Sequence, residues 1–333
     1  MPGIGRTEVD FACEGRQTGF LDLPHSAHDD AWGVLRVPLG VIARGRGPTV
    51  ILAGGNHGDE YEGPIVLGEL LRGLDPGRVH GRLIVLPALN LPAVEAGRRV
   101  SPLDGLNLNR SFPGDPLGSP TRQIAAFLAQ ELFPLADAFL DLHSGGSSLV
   151  MLPSAIVEPA ADPALAARIR AAAAAFDAPM QVIIPNRGDP RTSTATAVRA
   201  GLVALGTELG GGGGVSPAAL RIARQGVTNV LAHLGALEAE VQLPAPRPLF
   251  SLAGPGAHLL APEPGVFEPF HDLGAEVAEG QPAGRLHFLP DPRREPVTLH
   301  YGAGGVLYGR RQPGPVRAGS CCLVVAQPAE AGA

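Results

Sequence analysis

The sequence predicts an α/β fold: one layered domain around a largely parallel sheet, followed by a smaller all-β unit. Three observations carry this. Apolar β-like runs alternate with helical stretches between residues 48 and 240. Polar residues and glycine follow the ends of those runs, where α/β sheets keep their binding groups. The alternation then stops, and short β-like pieces parted by Gly and Pro fill the rest of the chain.

Taken in order, residues 1–47 read as β-rich short strands and turns, with "GVLRVPLGVIARG" holding the β-branched content of a strand pair. "TVILA" is a buried strand, and "PIVLGELLRGL" (64–74) has helical spacing with Pro64 suited to a first turn. "GRLIVLPALN" (81–90) is a strand, "TRQIAAFLAQELFPLA" (121–136) an amphipathic helix, and "DAFLDLHSGG" (137–146) a strand with a polar end. "DPALAARIRAAAAAF" (162–176) is a helix, "LVALGTELGGGGG" (202–214) a strand, and "SPAALRIARQGVTNVLAHLGAL" (216–237) the closing helix. "QLPAPRP" (242–248) reads as a linker, so the domain boundaries fall at 1–240 and 241–333. In the second part, "AEVAEGQPAGRL" resembles the turn of a biotinyl-like barrel-sandwich module without its modifiable lysine, which implies shape and no carrier role.

Composition narrows the function. The 333 residues are 45% hydrophobic, enough for a large core, and a net charge of −6 gives no general attraction to nucleic acid or an anionic membrane. The first residues lack the apolar core of a signal peptide, and no long uncharged apolar run suggests a transmembrane helix. Cys13, Cys321 and Cys322 are odd in number and lack metal-ligand spacing, which fits a reduced, cytoplasmic setting.

Four polar points sit at or just after the expected strand ends: His57 with Glu60, Asn109 with Arg110, His143, and Glu208. Zinc accepts imidazole nitrogen and carboxylate oxygen, and a catalytic site keeps a position open for water. Two histidines and one glutamate meet that count. Asp141, two residues before His143 on the same strand face, suits an acceptor that orients a ligand imidazole. A lone His-x-x-Glu is common by chance, and a single histidine is more often a hydrogen-bonded core residue. The joint pattern in one order raises the metal reading above that bland one. The run Gly210–Gly214 lacks the Lys-Ser/Thr of a phosphate loop. It is either a turn that lets backbone approach a substrate or a slack loop.

As a set, "GGNHGDEYEG", "NLNRSFPG", "DLHSGG" and "GTELGGGG" resemble the succinylglutamate desuccinylase/aspartoacylase family, part of the wider zinc carboxypeptidase group. The resemblance covers residues 48–240 well and the remainder loosely. Within the family, "SPLDGLNLNRSFPG" is similar to members that deacetylate N-acetyl-diaminobutyrate. The resemblance implies a zinc carboxypeptidase-like three-layer α/β/α domain with a smaller C-terminal β domain, and one zinc ion on His57, Glu60 and His143. It implies Glu208 as the proton-transfer group, and Asn109 and Arg110 as holders of the substrate's α-carboxylate. Arg99, with Arg98 as its alternative, would stabilise an oxyanion. Arg191 would be a second substrate arginine, and Tyr308 a tyrosine lent by the β domain. One departure is Asn107, where many members carry aspartate, which bears on recognition of the substrate head. The expected partner is a small N-acyl amino acid, and a homo-oligomer stays open. Desuccinylase, aspartoacylase or carboxypeptidase activity and a non-catalytic relic are the alternatives.

Overall fold

The computed structural model describes residues 4–185, 189–240 and 247–329. The chain begins with β1 (Arg6–Thr7), β2 (Gly15–Pro24), β3 (Val34–Arg44) and β4 (Thr49–Gly54). Then follow α1 (Glu62–Gly73), β5 (Gly81–Leu86), α2 (Leu91–Ala96), α3 (Pro120–Ala126), β6 (Ala138–Leu142), β7 (Leu149–Met151) and β8 (Ser154–Val157). The layered part closes with α4 (Pro163–Phe176), β9 (Met180–Ile183), α5 (Ser193–Arg199), β10 (Val203–Glu208) and α6 (Pro217–His233). Beyond it lie β11 (Leu249–Ser251), β12 (His258–Leu260), β13 (Gly265–Pro269), β14 (Glu276–Val277) and β15 (Pro282–His287). The last strands are β16 (Val297–His300), β17 (Gly305–Arg311), β18 (Pro315–Val316) and β19 (Cys321–Pro328).

The helix starts follow from their sequence. Asp162 and Ser216 accept hydrogen bonds from the backbone N–H groups of Ala164 and Ala219, and a proline occupies each first turn. Strand β4 is buried at all six positions because helices cover both faces of the sheet. Its side chains alternate accordingly. Val50 and Leu52 pack with α1, α4 and α6, while Ile51 and Ala53 pack with α3, α5 and the N-terminal strands. This is the three-layer α/β/α arrangement.

The sheet itself corrects the expectation of a largely parallel one. Strands β5, β4, β6 and β10 are parallel, but β3 joins β5 and β8 joins β10 antiparallel, so the sheet is mixed. "GVLRVPLGVIARG" is one strand of 11 residues, paired with the 10-residue β2, and the register continues unbroken across the proline, with Pro38 opposite Phe20. The segment 121–136 is helical but not one α-helix. After α3 the chain makes a π turn over Phe127–Leu132 and a 3₁₀ turn over Phe133–Leu135. The buried pairs Phe127/Leu132 and Leu128/Phe133 are spaced by five, which the wider π turn stacks on one face.

In the C-terminal part, a four-stranded sheet ordered β16-β15-β13-β18 faces strands β12, β14, β17 and β19 across a core that includes Phe267, Leu286, Tyr301, Leu307 and Leu323. The second group is continuous with the main sheet, since β11 pairs with both β9 and β19. The expected linker at 242–248 lies outside the described residues, apart from Arg247 and Pro248.

Helices α4 and α6 meet where Gly226 faces the Phe176 ring, and a β-carbon at 226 would stand 2.5 Å from it. In an open helix Gly→Ala gains about 1 kcal/mol. Here overpacking reverses the sign. Gly226→Ala is expected to lower stability by roughly 1–2 kcal/mol, seen as a lower denaturant midpoint with an unchanged slope.

Candidate functional site

Three strand ends converge on one point. After β4 the chain turns through Gly55 into the loop carrying His57 and Glu60. That loop presses on α2 at Gly58, where a β-carbon would lie 1.9 Å from the Ala93 carbonyl, so only glycine fits. His143 directly follows β6, and Glu208 ends the neighbouring β10. The His143 backbone N–H donates to Thr207 Oγ at 3.0 Å, and the Leu209 N–H donates to the His143 carbonyl at 3.0 Å. The glycine run is not slack. Gly210 to Gly213 all have positive φ, and the Gly210 carbonyl accepts from the N–H groups of Gly145 and Met151. Gly212 and Gly213 donate back to Leu149 and Gly146, so the run clamps the loop behind His143.

His57 Nδ1 lies 2.7 Å from Glu60 Oε1, and His143 Nδ1 lies 2.8 Å from Glu60 Oε2. All three side chains are buried, and one ligand atom from each falls within 4.8 Å of the others. The outer nitrogens face oxygen atoms. His57 Nε2 meets the Asn107 carbonyl oxygen at 3.1 Å, and His143 Nε2 stands 3.0 Å from Asp141 Oδ2. Both contacts favour a proton on Nε2, which leaves Nδ1 to offer its lone pair. Two such lone pairs facing a carboxylate need protons or a cation between them, so the donor set fits a divalent metal. Asp141 is itself fixed by Asn56 Nδ2 at 2.8 Å and by the Ser193 hydroxyl.

The charges are strongly coupled. Burial opposes ionisation of Glu60, but the two imidazoles outweigh it and hold the carboxyl well below its usual range. Burial likewise disfavours charge on His143, yet Asp141 and Glu60 together raise its pKa well above that of an ordinary histidine. For His57 burial wins and lowers the pKa. Glu208 behaves in the opposite way to Glu60. Burial, then repulsion from Glu60, pushes its carboxyl up to about 8, and among the described residues its Oε2 has no hydrogen-bond partner.

These groups line a cavity of about 110 Å³, together with Arg99, Asn109, Arg110, Glu158 and Thr194. Arg99 reaches Glu60 Oε1 at 3.4 Å, whereas Arg98 is absent from the lining. Asn109 and Arg110 sit in a 3₁₀ turn, Leu108–Arg110, and not at a strand end as the sequence suggested. Asn109 Oδ1 accepts from the Ser193 N–H at 2.9 Å, and Arg110 stands 3.5 Å from Asp189. Arg191 is 60% exposed, pairs with Asp189 at 2.9 Å and does not line the cavity. Tyr308 is fully buried outside the lining, its hydroxyl 2.6 Å from Ser154 Oγ, and its pKa is raised by burial and by Glu208. Asn107 contacts His57, so its neutral amide bears on the candidate ligand instead of the substrate head. Two residues at the site were not given their place by the sequence reading. Asn107 was noted only as a departure, and Glu158 carries no motif.

Residues 46–234 match the succinylglutamate desuccinylase/aspartoacylase catalytic domain. The chain is 40% identical over 323 residues to an N-alpha-acetyl-L-2,4-diaminobutyric acid deacetylase of Halomonas elongata, covering 97% of this chain and 94% of that protein. It is also similar to a product-bound structure of the ectoine utilization protein EutE (DoeB) from Ruegeria pomeroyi, with 40% identity, a TM-score of 0.94 and coverage of 98% and 99%. A succinylglutamate desuccinylase/aspartoacylase structure from Rhodobacter sphaeroides aligns at 40% identity and a TM-score of 0.92, covering 98% of this chain and 100% of that one.

His57→Ala and His143→Ala are each expected to abolish stoichiometric zinc binding, measured by metal analysis after dialysis. Asn107→Leu should keep the fold and weaken zinc affinity roughly 10- to 100-fold, the usual cost of removing a partner behind a ligand histidine. Unchanged affinity in a competition titration with a chelator would show that Asn107 does not orient the ring.

Proposed function

The chain belongs to the succinylglutamate desuccinylase/aspartoacylase family, and on that premise we propose that it removes an acetyl group from an N-acetyl amino acid, with N-acetyl-diaminobutyrate as substrate. The coarser statement stands by itself: the protein is a metal-dependent amidohydrolase of the deacylase type. One observation carries the finer reading. The Glu208 carboxylate, whose buried Oε2 is unpartnered among the described residues, shares a small cavity with the His57–Glu60–His143 cluster and with two arginines. The likeness to the Halomonas elongata deacetylase over nearly the whole chain supports the choice of substrate.

In this reading His57, Glu60 and His143 hold one zinc ion. Zinc, when bound, supplies Lewis-acid chemistry, polarising an amide carbonyl and acidifying water enough for attack at neutral pH. Glu208 takes the proton from the attacking water and returns it to the leaving nitrogen, a role its raised pKa suits. Arg99, beside Glu60, meets the negative charge that develops on the carbonyl oxygen. Arg110 receives the α-carboxylate on its planar fork, with Asn109 beside it in the same turn as a second holder. Asp141 orients His143. We assign Arg191 to the rim as a secondary substrate contact, and Tyr308 to a supporting position behind Glu208. Residues 1–240 form the catalytic unit and 241–333 the β unit that narrows its mouth. The three free cysteines fit the proposed cytoplasmic setting.

The direct test offers the zinc-loaded protein N-acetyl-diaminobutyrate, N-acetyl-aspartate, N-succinyl-glutamate and a blocked dipeptide. Acetate release from the first is expected. Release of a C-terminal residue from the peptide instead would favour a carboxypeptidase. Glu208→Gln is expected to retain zinc and lose roughly two to four orders of magnitude in kcat. In the wild type kcat should rise with pH, because the base works only when deprotonated. The midpoint should fall below 8, since a bound dication favours the carboxylate.

Arg110→Lys should raise KM more than it lowers kcat, because a point charge cannot reproduce a bidentate contact. Amidating the α-carboxylate should reproduce that loss in the wild type. Equal turnover of the amide and the acid would remove Arg110 from this role.

A further inference from the structure

We propose that Glu158 is a specificity-determining residue that selects substrates whose side chain ends in a cation. The inference rests on the deacylase reading above and adds the feature that separates one N-acyl amino acid from another.

Glu158 follows β8 directly and lines the same cavity as the candidate ligands and Arg110. Strands β8 and β10 pair antiparallel, with Ser154 opposite Glu208 and Ile156 opposite Gly206. Directly opposed residues share a face of the sheet, so positions 154, 156 and 158 lie on the side of Glu208. Gly206 has no side chain. A β-carbon there would stand 3.4 Å from Ile156 and 3.7 Å from Thr194, so the absence of one keeps the floor open between the two glutamates. Glu158 lies four residues beyond the level of Glu208, about 13 Å of strand. Both glutamates line the same cavity, one at each end of that stretch.

The polar surroundings of Glu158 are incomplete for an anion. Thr194 Oγ1 donates to Oε2 at 2.8 Å, and among the described residues no arginine, lysine or histidine comes within ion-pair distance. Burial pushes its carboxyl up, opposed only by Thr194 and by the field of Arg199. A half-buried carboxylate of this kind gains from a cation brought by a ligand. An N-acyl amino acid has lost the charge of its α-amine. What remains is the α-carboxylate, matched by Arg110, and the side-chain end. At that end Glu158 attracts an ammonium and repels a second carboxylate. The same pocket thereby favours a diamino acid over the acidic amino acids.

The test compares zinc-loaded wild type with Glu158→Gln on three substrates of similar size. These are N-acetyl-L-2,4-diaminobutyrate, its uncharged isostere N-acetyl-L-norvaline, and N-acetyl-L-aspartate. Wild type is expected to prefer the diaminobutyrate over the norvaline compound by roughly 10- to 100-fold, the scale of one hydrogen bond to a charged group. Glu158→Gln should erase that preference through KM, with turnover of the norvaline compound kept. Calorimetric binding of L-2,4-diaminobutyrate should weaken by the same factor. Glu158→Asp, which retains the charge, should keep part of the preference, and a purely structural role would not separate the two variants. If Glu158→Gln keeps the wild-type preference, or if wild type favours N-acetyl-aspartate, the proposal is overturned. If wild type hydrolyses no N-acetyl amino acid, the deacylase reading itself fails and takes this proposal with it.

Discussion

A carboxylate closed off from water sits at the centre of this protein. Glu60 bridges His57 and His143 from a site whose desolvation would cost several kcal/mol for an unpaired ion. That cost is offset only if both imidazoles arrive at the right distance. Their arrival depends in turn on the parallel neighbours β4 and β6 ending side by side. The glycines of the first loop, the contact of Gly58 with α2 and the clamp of Gly210–Gly213 behind His143 all serve the same end. Glu208 owes its raised pKa first to burial, and the charge of Glu60 adds to it.

Much of this was legible in the sequence, for a definite reason. His57, Glu60, His143 and Glu208 each stand within a few residues of an apolar strand, and a strand end is a one-dimensional signal. The helices capped by Asp162 and Ser216 could be read for the same reason, because cap, proline and apolar face lie close together in the chain. What escaped depends on contacts between distant segments. Asn107 meets His57 across 50 positions, and Asp141 meets Ser193 across 52. Glu158 gains its setting from a gap at Gly206 that only pairing creates. The antiparallel place of β8 was equally hidden, since strand composition does not encode direction. The π turn at Phe127 was missed because an α-helical template absorbs a single extra residue without complaint.

The cavity is lined by arginines and carboxylates within a small volume, and this matters more than the protein's net charge. A chain at −6 overall has no general use for an anion, so any carboxylate it recognises must be drawn by local cations such as Arg99 and Arg110. Arg110 in turn is tethered by the Asn109 carbonyl and by Asp189, and Arg99 leans on Glu60, which limits their freedom before anything binds. Such prior tethering lowers the entropy lost on association.

The main sheet does not stop at the boundary between the two parts of the chain. Strand β11 is stitched to β9 on one side and β19 on the other, and β17 pairs with β7 just beyond the loop behind His143. Rotating one part against the other would break these ladders. The molecule therefore has no cheap hinge across its mouth. Admission of a substrate and escape of its products fall to side chains and rim loops, whose excursions are far quicker than the closing of lobes. The C-terminal strands are in this sense a fixed brace, tied to the sheet whose strand ends surround Glu60.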